Sequence, residues 1–249
     1  MIIDRYRLDG KVAVVTGGTR GIGFAIAQAL AEQGAQLVVS SRSDDASKAA
    51  ANELGGAAIG IGCDVTDGAA VEALVAGAVE AKGGVDILVH SAGVASGTKA
   101  SAVRRAELQQ MMAIHLEGGV HAAQLAADSM ESRKGGAVLF IGSVFGLGGV
   151  SHTLAYGAAK AALGHATKVL AVEWARRGIR VNALAPGFVE TAMTADLDEG
   201  ARAKLLRKVP LRRAASPEEM AAAALFLCTP AASYITGQTL VADGGERAR

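Results

Sequence analysis

Apolar residues in this chain fall in short, nearly unbroken runs, separated by longer segments in which they recur every third or fourth position. The runs cover 12–16, 37–41, 57–63, 87–91, 137–142, 181–185 and 239–242. Runs this short and this continuously apolar fit strands buried on both faces of a sheet. The intervening segments 22–33, 46–54, 69–81, 104–132, 156–177 and 217–227 have helical length and spacing. Strands alternating with helices predict a parallel sheet, and right-handed crossovers put helices on both of its faces. The expected fold is therefore α/β: a single doubly wound Rossmann-type domain over 1–249, with a seven-stranded parallel sheet. Ser216-Pro217-Glu218-Glu219 predicts a capped helix start, with serine at the N-cap, proline at N1 and glutamate at N3. Segment 188–211 breaks the alternation and carries many charges, so it is expected to form a mobile lid over a substrate site, the alternative being an ordinary surface helix pair.

Two places in this pattern carry chemistry. The first strand-like run is followed by Gly17-Gly18-Thr19-Arg20-Gly21-Ile22-Gly23 and then by a helix pattern. Strand, glycine turn and helix start are the parts of a dinucleotide-binding unit. Glycine lets the backbone approach a pyrophosphate, and the helix N-terminus offers free N–H groups. The second place is Ser143, Tyr156 and Lys160. Ser143 closes an apolar run, which puts it at the carboxyl end of a strand, where open α/β sheets bind ligands. Tyr156 and Lys160 stand at i, i+4 on one helix face. An ammonium beside a phenol favours the phenolate and brings the tyrosine down from its ordinary value of about 10. Such a tyrosine gives and takes a proton at a carbonyl or alcohol.

Composition narrows the classes. The net charge is +1, both signs are dispersed and aromatics are 4%, so no nucleic-acid surface is indicated. No run reaches the roughly 18 apolar residues of a membrane span, and the first residues lack the apolar stretch of a signal peptide; a cytoplasmic protein is expected. Two cysteines, Cys63 and Cys228, make neither a metal cluster nor a disulfide framework and read as small buried hydrophobes. The histidines have no ligand spacing, so no metal is expected.

The chain resembles the short-chain dehydrogenase/reductase family. The resemblance runs from Thr16-Gly17 through Gly23 to Asp64-Val65, His90-Ser91-Ala92-Gly93, Ser143, Tyr156, Lys160, Asn182, Pro186-Gly187 and the closing Asp243-Gly244-Gly245. It implies an oxidoreductase that moves a hydride between a nicotinamide and a small carbonyl or secondary-alcohol substrate. In that scheme Tyr156 is the general acid/base. Lys160 lowers its pKa and holds the nicotinamide ribose, and Ser143 bonds the carbonyl oxygen. The resemblance also places Asp64 and Val65 at the adenine and Ser91, Ala92 and Gly93 under a ribose. It assigns Pro186, Gly187, Val189 and Thr191 to the nicotinamide, and it implies a homotetramer.

Within that scheme NADP(H) is preferred over NAD(H). The second strand ends in Ser41-Arg42 rather than in a carboxylate for ribose hydroxyls, and Arg20 adds a cation nearby. The family's usual asparagine in the long helix is His115 here. It is a candidate fourth catalytic residue able to titrate near neutrality, or a core histidine with a satisfied hydrogen bond. His90 is read as a brace between central strands. Val94, Val144, Leu147 and Phe188 are candidate pocket walls, leaning towards a hydrophobic ketone. One alternative is a 3-oxoacyl-carrier-protein reductase, for which Arg104-Arg105, Arg133-Lys134 and Arg176-Arg177 would form a docking patch. A non-catalytic NADP(H)-binding protein is the other. The final residues 246–249 are expected to fray.

Overall fold

The computed structural model describes residues 1–192, 194–195 and 198–248. The seven strands are β1 Val12–Thr16, β2 Gln36–Ser41, β3 Ile59–Gly62, β4 Ile87–His90, β5 Gly136–Ile141, β6 Ile179–Pro186 and β7 Thr239–Ala242. All pair in parallel, in the order β3-β2-β1-β4-β5-β6-β7. The chain enters at β1, builds outwards to β3, then returns to lay β4 on the other side of β1. The switch point between β1 and β4 opens a crevice at the carboxyl ends of the strands.

Alternate strand residues feed two cores. Val14, Val38, Leu88, Val138 and Val181 pack on one face with α3 (Gly68–Lys82), α5 (Gly118–Ser132) and α6 (Leu154–Trp174). Ala13, Val39, Val89, Leu139 and Leu184 pack on the other with α1 (Gly21–Glu32), α2 (Asp44–Leu54) and α8 (Pro217–Cys228). Each fully buried Val, Leu or Ile contributes about 1.5–3 kcal/mol of transfer free energy, and that burial is what fixes the helices on the sheet. The capping box at Ser216 is present, with Ser216 Oγ accepting from Glu219 N and the Glu219 carboxylate accepting from Ser216 N. Cys63 and Cys228 are buried, and burial pushes their thiols up to about 11 and about 12.

Two expectations need correction. The single helix over 104–132 is three pieces: α4 (Arg105–Met112), a π-helical turn Ala113–Glu117, and α5. The break lets the backbone press against its neighbours. A Cβ on Gly118 would collide with the Val65 carbonyl, and one on Gly119 would lie 2.6 Å from the His90 ring. The chain after Gly245 does not fray through Arg247: its backbone N–H donates to Asp243 at 2.7 Å and its guanidinium donates to the Leu147 carbonyl at 3.0 Å.

Segment 188–211 contains α7 (Glu199–Leu206), while its positions Met193, Asp196 and Leu197 lie outside the described residues. Val189 bridges Ala215, Arg202 pairs with Glu190 and covers the Phe188 ring, and Thr194 Oγ1 accepts from Thr191 N at 3.0 Å. Among the described residues, no helix is long and apolar enough to cross a membrane and no cluster of side chains is arranged to hold a metal.

Candidate active site

At the switch point lies a cavity of about 640 Å³. The β1–α1 turn forms its floor. Gly17 adopts φ +66°, and a Cβ there would lie 2.7 Å from the Ala92 backbone, so the turn closes directly onto the loop after β4. A Cβ on Gly23 would collide with the Gly17 carbonyl. These contacts leave a concave backbone surface at the N-terminus of α1, suited to a pyrophosphate. Thr19, Arg20, Gly21 and Ile22 from this turn line the cavity. Around them stand Ser41 and Arg42 from β2, Asp64 and Val65 after β3, and Ser91, Ala92 and Gly93 after β4. Pro186, Gly187, Val189 and Thr191 line the opposite wall. A dinucleotide fits this donor set: backbone N–H groups at the turn, two cations at the rim, and apolar side chains such as Val65, Ile141 and Val189 in the walls.

The reactive end is built on β5, α6 and the π-turn. Ser143 follows β5 and caps a short 3-10 turn, Val144–Gly146, its Oγ accepting from Phe145 N at 3.2 Å. Tyr156 and Lys160 sit one turn apart on α6, and Tyr156 is hydrogen-bonded with Ser143. The Tyr156 ring is held edge-on between His115, with centroids 5.2 Å apart, and Phe145 at 6.3 Å. Lys160 is buried; its Nζ lies 5.7 Å from the centre of the Tyr156 ring and donates to the Ile141 carbonyl at 2.5 Å.

Electrostatics here corrects the simple expectation of a cation lowering the phenol. Burial pushes Lys160 down to about 7, because its ammonium has no carboxylate to offset desolvation. Tyr156 is raised by burial, against which the hydrogen bond to Ser143 works in the opposite direction. His115 is also corrected. Burial, helped by Lys160, drives it down to about 3, so it does not titrate near neutrality. Its Nε2 faces the Val94 carbonyl at 2.8 Å and therefore donates, while Nδ1 is buried without a partner. The core reading thus accounts for one ring nitrogen and leaves the other over. His90 is a brace, and a wider one than strand pairing requires. Its Nε2 donates to the Ile114 carbonyl in the π-turn at 3.1 Å, and Nδ1 accepts from Thr16 Oγ1 at 2.9 Å. Burial holds it near 4.

All the candidate cofactor and catalytic positions come to this one cavity. The apolar wall does not form as expected. Of the four wall candidates only Val94 lines it; Val144 is buried, Leu147 faces solvent and Phe188 stacks on Arg202. Gln110 and Thr194 line it without having been singled out, and no motif marks them; Cys63, read as a buried hydrophobe, lines it too. His152 lies on an exposed loop with φ +69°, away from the lining. Asn182 is buried behind the site and clamps the turn before β7, donating to Ile235 O and accepting from Gln238 N.

A family model described as enoyl-(acyl carrier protein) reductase matches residues 17–246. Galactitol 2-dehydrogenase (L-tagatose-forming) of Cereibacter sphaeroides is 44% identical over 247 residues, covering 96% of each chain.

The chain belongs to the short-chain dehydrogenase/reductase family.

The 3-oxoacyl-(acyl-carrier-protein) reductase FabG of Vibrio cholerae is 39% identical over 238 residues, covering 96% of this chain and 98% of the relative. The crystal structure of a short-chain type dehydrogenase/reductase from Mycobacterium marinum superposes with a TM-score of 0.95 at 35% identity, covering both chains fully. As a member of this family the protein is an oxidoreductase acting on CH–OH groups with a nicotinamide dinucleotide.

Proposed function

We propose that this short-chain dehydrogenase/reductase is an NADP(H)-dependent carbonyl reductase or secondary-alcohol dehydrogenase, with Tyr156 as general acid/base. The observation that carries the reading is the convergence of Ser143, Tyr156 and Lys160 on the end of a cavity whose floor is the glycine turn. When bound, the nicotinamide supplies the redox half of the reaction. Ser143 Oγ is the donor that orients the substrate oxygen and stabilises charge growing on it. Tyr156 Oη delivers the proton to that oxygen and is left as a phenolate. Lys160 Nζ, close beside the ring, is the cation that offsets this charge. Both groups are shielded from water, so their attraction is stronger than on a surface. His115 and Phe145 hold the Tyr156 ring while this happens.

The preference for NADP(H) is supported by the rim beneath β2. Among the described residues, neither Arg20 nor Arg42 forms a salt bridge, and Arg42 feels the Asp64 carboxylate only at longer range. Asp44 does not compete for ribose hydroxyls, because its carboxylate accepts from Gly62 N at 2.9 Å and pairs with Lys48. The rim therefore presents two cations outside any salt bridge, suited to a 2′-phosphate. Segment 188–211, which contributes Thr191 and Thr194 to the cavity wall, is the lid in this reading. The outward face of α6, with Ala158, Ala161, Val169 and Val172 exposed, supports a homotetramer through close helix contacts.

A 3-oxoacyl-carrier-protein reductase is the second reading, favoured by the Vibrio cholerae relative. The basic pairs support it only in part. Arg133 is held by Asp86, and Arg177 by Asp128 and Glu131, which leaves Arg104, Arg105, Lys134 and Arg176 exposed. The test is NADPH and NADH oxidation over keto-sugars, small diketones, β-ketoesters, acyl thioesters and steroids, with Tyr156→Phe as control. Turnover with NADPH on one class, lost in the variant, supports the reading. Turnover that survives in Tyr156→Phe, or NADPH binding with no turnover on any class, overturns it in favour of another proton donor or a binding protein.

A further inference from the structure

The segment after β7 touches three segments around the candidate site. Asp243 ties it into a tight turn, Oδ1 accepting from Gly245 N at 2.9 Å and Oδ2 from Arg247 N at 2.7 Å. On one side it abuts Gly187, where a Cβ would lie 2.7 Å from Asp243 Cα. On a second side it meets the end of the 188–211 segment, with the Gly244 carbonyl accepting from Leu211 N at 3.2 Å and Gly245 facing Pro210. On the third, the Arg247 guanidinium lies over Gly148, where any Cβ would collide with it, and donates to the Leu147 carbonyl.

Leu147 is the last residue of the turn that Ser143 begins. The Ser143 carbonyl accepts from Gly146 N at 3.0 Å, and the Val144 carbonyl accepts from Leu147 N at 3.1 Å. Gly146 is pressed on the backbone of Lys160, a Cβ there lying 2.7 Å from the Lys160 carbonyl carbon. A cation bonded to the terminal carbonyl of such a turn stabilises it, as at a helix C-terminus. Beyond it the chain is unsupported: Leu147 is exposed, and Gly149 has no neighbour within 4 Å of its Cβ position. We propose that residues 243–247 form a strap behind the site and that Arg247 is a positioning residue, holding the Ser143 turn in register with Lys160. The catalytic part of this inference rests on the role of Ser143 proposed above.

The decisive experiment is a double-mutant cycle read as NADPH-dependent turnover on the best carbonyl substrate. We expect Arg247→Ala to lower kcat by about five- to tenfold at unchanged KM for NADPH, with partial recovery in Arg247→Lys. In a Ser143→Ala background, Arg247→Ala should cost less than about twofold, because two residues acting through one interaction are not additive. Equal losses in both backgrounds, or no loss in the parent, overturn the proposal. A second measurement needs no substrate: amide hydrogen exchange at Gly146 and Leu147 should quicken several-fold in Arg247→Ala. Unchanged exchange there removes the strap alone. Ser143→Ala without effect on turnover removes the parent reading, and with it the strap's catalytic purpose.

Discussion

The two ends of the sheet bury charge in opposite ways. At the amino end Asp86 is 3% exposed, yet its carboxylate accepts from Val12 N at 2.9 Å, Lys11 at 3.0 Å and Arg133 at 2.7 Å. Those bonds outweigh desolvation and hold it below the usual carboxylate range. At the carboxyl end Lys160 and His115 are buried just as deeply and left short of partners. Lys160 has one carbonyl and no anion, and His115 Nδ1 has nothing. A charge surrounded by partners serves the fold, because its removal breaks several bonds. A buried ionisable group left without them is a standing cost to the fold and is kept where something else is gained.

Lys160→Met should sharpen that contrast most. Turnover is expected to fall by about two to three orders of magnitude. The folded parent binds the Lys160 proton less tightly than the unfolded chain does. The parent therefore loses stability as pH falls from the ordinary lysine range near 10.5 towards about 7. Urea unfolding across that window should show a flatter profile in the variant; an identical profile would place the ammonium in a more polar setting than its burial indicates. Next in size is Asp86→Ala, expected to cost about 3 kcal/mol in denaturant unfolding while leaving kcat in place. A loss of activity without a loss of stability would erase the distinction between the two ends.

The buried histidines give a smaller effect in the same direction, at lower pH. Both are held neutral, with folded values near 4 for His90 and near 3 for His115 against an ordinary 6.5. Their contribution is present above pH 6.5 and is lost as the pH falls towards 4, with a slope of up to about 1.4 kcal/mol per pH unit per histidine. His115→Asn should reduce that slope between pH 6 and 4, measured by urea unfolding, and an unchanged slope would mean that His115 titrates normally. Smallest is Arg42→Ala. The KM for NADPH is expected to rise about fivefold at low salt and hardly at all at high salt, with the NADH value unmoved. A shift in NADH instead would reverse the cofactor preference.

The strands and the glycine turn were legible because burial on both faces leaves an apolar run, and a tight turn leaves glycine. Ser216 announced its helix for the same kind of reason: a cap is local. What escaped was set by contacts between distant positions. The π-turn adds one residue to a helix and leaves no period in the sequence. It became visible only once Gly118 lay on Val65 and Gly119 on His90. The low value of Lys160 depends on what surrounds it rather than on its spacing from Tyr156. The clasp of Arg247 on Leu147 joins two loops that no motif links. Pairing of Arg133 and Arg177 with acids on other elements likewise removed two of the six residues of a surface that looked uniformly basic.

The packing of Gly93 against His115 sets an order on how this site can change over generations. A Cβ at position 93 would lie 2.7 Å from the imidazole Cε1. While histidine stands at 115, position 93 is closed even to alanine. A smaller residue must first arrive at 115 before any side chain is tolerated at 93, and the reverse sequence passes through a chain whose site is forced apart. The two positions are coupled: the size of the residue at 115 decides what position 93 can hold.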